Sequence, residues 1–136
     1  MSFLNQLFSS NKEKQTTNKT AINWQILTTE EQLDQIIERS ATIPVALFKH
    51  STRCSISTAA KSRLERQWTL DSQEVEIYYL DLIQYRNVSN KIADLFGVQH
   101  QSPQLILIRD GKAIYDTSHN GISVTGLKSA LNSSQK

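Results

Sequence analysis

The sequence predicts an α/β sandwich on a mixed sheet of about five strands. Three observations carry this. Segments with strand and helix character alternate along most of the chain. One of them, IPVALFK at 43–49, is continuously apolar, as expected of a strand covered on both faces. Late in the chain Asp110-Gly111 marks a two-residue hairpin, which adds antiparallel strands to an otherwise parallel set.

Each element has its own warrant. Asn23 to Leu27 alternates apolar and polar residues and reads as a short strand. Thr28 and Thr29 followed by Glu30, Glu31 and Gln32 form a capping-box type of helix start. Leu33, Ile36, Ile37 and Ala41 then recur at helical spacing, giving an amphipathic helix over Thr29 to Ser40. After the apolar strand, Ser51 and Thr52 can cap a helix from near Cys54 to Trp68. Its expected apolar stripe is Ile56, Ala60, Leu64 and Trp68. Glu74 to Leu82 reads as a strand with Val75, Ile77, Tyr79 and Asp81 on one face. Tyr85 to Phe96 is a helix stopped by Gly97. Pro103 opens a strand over Gln104 to Arg109, and the hairpin leads into Lys112 to Asp116. Ser123 can cap a last helix from Val124 to Leu131. Trp24, Trp68, Phe48, Tyr78 and Tyr79 are assigned to the core.

Composition bounds the function. The 136 residues suit one domain. Apolar residues are 38% and charged residues 21%, an ordinary globular mix. Fifteen basic against 13 acidic residues leave a net charge of +2, without the strongly basic face of a nucleic-acid binder. The single cysteine, Cys54, excludes an intramolecular disulfide and any metal site built on several thiolates of one chain. No metal or bound cofactor is expected, because a Cys54/His50 pair lacks further ligands at useful spacing. Residues 1–21 read as an amphipathic segment, MSFLNQLF, and a polar linker. Residues 22–131 form the domain, and 132–136 a tail. The MSFLNQLF segment has neither the basic start nor the long apolar run of a secretory signal, and no stretch is apolar enough to span a bilayer. A monomer in a reducing cytoplasm is the expectation.

Cys54 falls where a central strand hands over to a helix. Free N–H groups and the helix dipole at that point stabilise negative charge, and Lys49, His50 and Arg53 are near in sequence. Thiolate is the attacking species in disulfide exchange. Three residues on, where a CxxC site has its resolving thiol, stands Ser57. A dithiol cycle within this chain is therefore blocked, and a monothiol cycle is left. Inert burial is the alternative for this cysteine.

The run FKHSTRCSIS, Phe48 to Ser57, resembles the active-site segment of the monothiol bacilliredoxin-like proteins (the bacillithiol-system YtxJ-type family). In that family the cysteine is commonly followed by proline, and here by Ser55. Ser102-Pro103 before LILIRDGK resembles the cis-proline loop and hairpin of the thioredoxin-like superfamily, and His119 to Ser123 is a weaker match. The similarity covers roughly Trp24 to Leu131. It implies a thioredoxin-like three-layer sandwich with flanking helices, in a bacterial protein. It also implies an oxidoreductase that removes bacillithiol, or a similar low-molecular-weight thiol, from protein mixed disulfides. S-thiolated proteins and that thiol would be its partners. A non-catalytic binding or redox-sensing module is the alternative. An iron–sulfur bridge of the monothiol glutaredoxin kind fits worse, since CSIS replaces CGFS.

On this reading Cys54 is the nucleophile. His50 raises thiolate content or shuttles a proton, and Ser57 donates a hydrogen bond to the sulfur. Lys49, Thr52, Arg53 and Ser55 line the substrate side, with lysine and arginine facing the carboxylates of bacillithiol's malate group. The backbone of Ser102, beside Pro103, pairs with the bound thiol compound. Strand alternation puts Lys49 and His50 on opposite faces, so only one of them can point at Cys54. His100 and His119 stand isolated in the sequence.

Overall fold

The computed structural model describes residues 21–133, so the readings of the first 20 residues and of the last three lie outside it. The elements are β1 (Trp24–Ile26), α1 (Glu31–Arg39), β2 (Val45–His50), α2 (Ser55–Gln67), β3 (Glu76–Asp81), α3 (Arg86–Phe96), β4 (Gln104–Arg109), β5 (Lys112–Ser118), a 3₁₀ turn (His119–Gly121) and α4 (Val124–Ser133). The five strands are ordered β1-β3-β2-β4-β5. The pairs β1·β3 and β2·β3 are parallel, and β2·β4 and β4·β5 are antiparallel. The mixed sheet is the one expected. Among the described residues no helix is long and apolar enough to cross a membrane.

Helices cover both faces. Ala46 and Phe48 of β2, Ile77 of β3 and Leu105 and Leu107 of β4 pack against α2 (Ala60, Leu64) and α4 (Leu127, Leu131). Val45, Leu47, Leu80, Ile106 and Ile108 pack against α1 (Leu33, Ile36) and α3 (Val88, Ile92). Strand β2 is buried along its whole length, as its unbroken apolar run requires.

Side-chain bonds set several boundaries. Gln32 N–H donates to Thr29 Oγ1 at 3.3 Å, and Gln32 Oε1 accepts Thr29 N–H at 3.0 Å, so the capping box forms. Gly97 ends α3 at φ 64, a left-handed cap. Ser123 Oγ accepts Gly126 N–H at 3.0 Å at the start of α4. Five expectations shift. Ala41 is exposed beyond the end of α1. Strand β3 starts at Glu76, because Asp71 Oδ1 accepts the Gln73 and Glu74 N–H groups and folds 71–74 into a turn. Strand β5 runs two residues past Asp116, and α4 two past Leu131. Ile56 is 53% exposed, and the buried stripe of α2 is Ser57, Ala60 and Leu64. Both 56 and 57 stand one turn before Ala60, and Ser57 is the one whose polar group finds partners inside.

The hairpin turn places Asp110 at φ 52 and Gly111 at φ 76 between the paired Arg109 and Lys112. Ser40, at the end of α1, fastens it: Ser40 Oγ accepts Gly111 N–H at 2.8 Å, and Ser40 C=O accepts Asp110 N–H at 2.9 Å. A Cβ on Gly111 would meet Ile37 Cγ2 at 3.4 Å and carry the left-handed penalty of an L side chain. Gly111→Ala should therefore destabilise the protein by about 1–2 kcal/mol. Urea unfolding should show a lower midpoint with an unchanged slope.

Candidate active site

Cys54 occupies the cap of α2, a 13-residue helix with no acidic residue in its first turn. Its backbone is extended (φ −113, ψ 123), and it leaves β2 through a tight loop in which Cys54 N–H donates to Ser51 C=O at 3.2 Å. The first N–H groups of the helix lack intrahelical acceptors and point to this end. The cysteine is half-exposed, with Thr52, Arg53, Ser55 and Ile56 exposed around it.

Ser57 lies beneath this surface, fully buried. Its Oγ accepts Ser51 N–H at 3.0 Å and stands 2.7 Å from His50 Nδ1. A hydroxyl has one proton and two lone pairs. In the Nε2–H tautomer of neutral His50 that proton goes to Nδ1, and in the Nδ1–H tautomer the ring donates to Oγ instead. Burial pushes His50 below its ordinary value, and Lys61 adds to this, while Asp81 and Glu65 oppose it. Neutral imidazole is thus the form at pH 7. Ser57, His50 and Ser51 together tie the last residue of β2, the loop and the first turn of α2.

Around His50 the sheet supplies rings. His50 stacks on Phe48 (5.8 Å between centroids, 22° between planes) and lies 5.5 Å from Tyr79. Lys61 Nζ sits 5.6 Å from the Trp24 and Tyr79 ring centres and 2.8 Å from Glu65 Oε2, which also accepts Trp24 Nε1–H at 2.8 Å. Ser57, Lys61 and Glu65 follow one another at i, i+4, i+8 on α2. Phe48 and Trp68 are core residues as expected, while Trp24, Tyr78 and Tyr79 are only half-buried.

Across the sheet, the pairing of Lys49 with Gln104 sets Ser102 and Pro103 at the end of the sheet where His50 gives way to the cysteine loop. The Ser102-Pro103 bond is cis, and Pro103 C=O accepts His119 N–H at 3.2 Å. Ser102 is half-exposed and Pro103 buried. Arg63 of α2 donates to the carbonyls of Ile122 (2.9 Å) and His119 (3.2 Å), bracing the turn before α4.

Lys49 lies on the other face, as alternation requires, and is fully buried. Its ammonium donates to Ser89 C=O at 3.2 Å and lies 3.2 Å from His100 Nδ1. His100 is therefore not isolated, and no motif in the sequence pairs it with a residue 51 positions away. The Lys61–Glu65 spacing was visible in the sequence, but its alignment with Trp24 needs the sheet order. Among the described residues no group of three or more His, Cys, Asp or Glu side chains could hold a metal ion.

A single half-exposed cysteine at a strand-to-helix cap, with a cis-proline loop across the sheet, defines a thioredoxin-fold redox site. Solved structures agree. A putative oxidoreductase with a thioredoxin fold is 31% identical, with a TM-score of 0.67 over 81% of this chain and 92% of its own. Thioredoxin from Trypanosoma brucei brucei (16% identity, TM-score 0.66, 84% and 92% coverage) shares the fold. So does thioredoxin from Fasciola hepatica (18%, 0.62, 80% and 97%). The family model for monothiol bacilliredoxin BrxC matches residues 25–127, and the chain belongs to that family. Family and fold together support a thiol–disulfide oxidoreductase role.

Burial of Lys49 has a measurable consequence. It lowers the ammonium from 10.5 to about 8. The unfolded chain holds this proton up to about 10.5 and the fold only up to about 8, so unfolding takes up a proton between those values. The Lys49 contribution to stability therefore rises as pH rises from about 8 to about 10.5. Lys49→Met should flatten that rise, read as the difference between the two proteins' urea midpoints across this pH range.

Proposed function

We propose that this protein is a monothiol oxidoreductase that removes bacillithiol from protein mixed disulfides through Cys54. The observation that carries the reading is Ser57. The position of a resolving thiol is filled by a buried hydroxyl already engaged by His50 and Ser51, so the second sulfur has to come from outside the chain.

The chemistry then runs in two exchanges. The Cys54 thiolate attacks the bacillithiol sulfur of a mixed disulfide. A sulfur–sulfur bond forms between Cys54 and bacillithiol as the original one breaks, and the substrate protein's cysteine leaves as thiolate. A second bacillithiol thiolate attacks the bacillithiol sulfur on Cys54. This releases bacillithiol disulfide and returns the Cys54 thiolate. A low-molecular-weight thiol is thus co-substrate and no bound cofactor enters. The steps need thiolates, which a reducing cytoplasm supplies.

Each neighbour has a part in this reading. The helix end favours the anionic sulfur. Cys54 and Ser57, three residues apart, share a helix face. Ser57 acts as a positioning residue, its hydroxyl bonded to His50 and to the loop at Ser51 beneath the cysteine. Thr52, Arg53 and Ser55 are the exposed groups that meet the incoming disulfide, and the Ser102 backbone pairs with it. Ile56 offers an apolar contact beside the sulfur.

Incubation with an S-bacillithiolated protein should add one bacillithiol mass to Cys54 and free the substrate's thiol. Cys54→Ser should take none, with transfer at background. An unmodified wild-type Cys54 after that incubation would refute the reading. Ser57→Cys tests the monothiol assignment. The thiol it introduces should displace bacillithiol from Cys54, leaving an internal disulfide and a mass two hydrogens below that of the reduced variant. Release of bacillithiol from Cys54 should then no longer require a second bacillithiol, while further turnover requires an added dithiol reductant to reopen the internal disulfide.

A further inference from the structure

The sheet face opposite Ser57 carries polar groups that exchange at Cys54 leaves unused. Lys49 is fully buried there, with its ammonium on Ser89 C=O and 3.2 Å from His100 Nδ1. Ser89 Oγ lies 3.4 Å from the same ring nitrogen. An ammonium only donates, so Nδ1 is the acceptor and the neutral ring carries its proton on Nε2. That N–H is turned away from the lysine, and His100 is exposed.

Arg86 completes the group. It opens α3 one turn before Ser89, on the same helix face, and is exposed. Burial lowers His100, and the positive charges of Lys49 and Arg86 lower it further. The first turn of α3 holds no acidic residue, and no side chain caps it. Among the described residues none of Lys49, Arg86 and His100 forms a salt bridge. Glu30, a carboxylate near this helix end, accepts from Asn87 at 3.0 Å instead. A buried ammonium without a carboxylate is costly, and an anion at the surface above it would offset that cost.

We propose that Arg86 and His100, backed by Lys49, form a subsite for a carboxylate of the small thiol that Cys54 exchanges. The proposal rests on the thiol-exchange reading and adds where the thiol's negative charge is held. His100 precedes Ser102-Pro103, and Lys49 pairs with Gln104, so the subsite and the cysteine loop flank the same end of β2. Arg86 can present two parallel N–H groups to a carboxylate, and His100 Nε2–H a third.

Two measurements test it separately from the exchange reading. Malate serves as a redox-silent probe on the Cys54→Ser protein, with the His100 ring resonances followed by NMR. A saturable shift is expected, weakened about tenfold by Arg86→Gln, the loss of one charge-assisted hydrogen bond. No shift, or one indifferent to Arg86→Gln, overturns the subsite. In transfer assays, Arg86→Gln and His100→Gln should raise KM about tenfold for a bacillithiol mixed disulfide and leave kcat unchanged. KM for a cysteamine mixed disulfide, which lacks carboxylates, should not move. Equal effects on both substrates overturn the subsite. Failure of the wild type to accept either thiol counts against exchange alone, and the malate titration then decides the subsite.

Discussion

The hydroxyl of Ser57 is the point on which the site's geometry turns. It is a polar group in the wall between α2 and the sheet, and it is tolerated there because both its partners are fixed. One partner, Ser51 N–H, belongs to the loop, and the other, His50 Nδ1, ends β2. Removing either would strand a buried polar atom. The three residues thus hold strand, loop and helix in one arrangement, and Cys54 is carried on the outside of it. Cys54 is held through its backbone, at Ser51 and Thr58, and its position is inherited from the helix it caps.

Adjacent residues of β2 show how strand alternation divides the work. His50 faces α2 and becomes part of the wall beneath the cysteine. Lys49 faces α3 and becomes a buried cation tied to Ser89 and His100. Burial disfavours the charged form of both, though their structural effects differ. For His50 the neutral ring is the state that burial favours, bonded to Ser57 through Nδ1. For Lys49 the charged state supplies the donors that span β2, α3 and the segment leading to Pro103. A polar pair at the end of an apolar run therefore serves two faces of one sheet end.

The fold was legible because periodicity and turn chemistry agreed. The apolar run of β2, the capping box at Thr29 and Gln32, the glycine stop at Gly97 and the Asp110-Gly111 turn each named an element correctly. Cys54 and Ser57 were legible too, since their spacing is local. What the sequence could not separate were positions at equal helical distance from the core. Ile56 and Ser57 both stand one turn before Ala60, and hydrophobicity favours the isoleucine. The serine is buried because two hydrogen-bond partners await it, and those partners come from a neighbouring strand and loop. His100 was unreadable for the same reason, because its contact with Lys49 depends on the β2·β4 register.

The exposure of Ile56 then gains a sense that the apolar stripe did not give it. An isoleucine displaced from the core by a serine leaves apolar surface two residues from the Cys54 sulfur. Sulfur–sulfur exchange requires the attacking and leaving atoms to align closely, and an exposed apolar side chain adds a contact near that point without adding a competing donor. On the proposed reading one charged contact, Arg53, stands beside the cysteine and the others lie at the Arg86–His100 end of α3. A monothiol site has no internal second sulfur, so on the proposed reading both exchanges depend on holding an external thiol compound in register. On the proposed reading, a loop that sets Arg53 and Ile56 beside the sulfur and further cations at the end of α3 would let the same small thiol be gripped whether it arrives as a mixed disulfide or as the reductant.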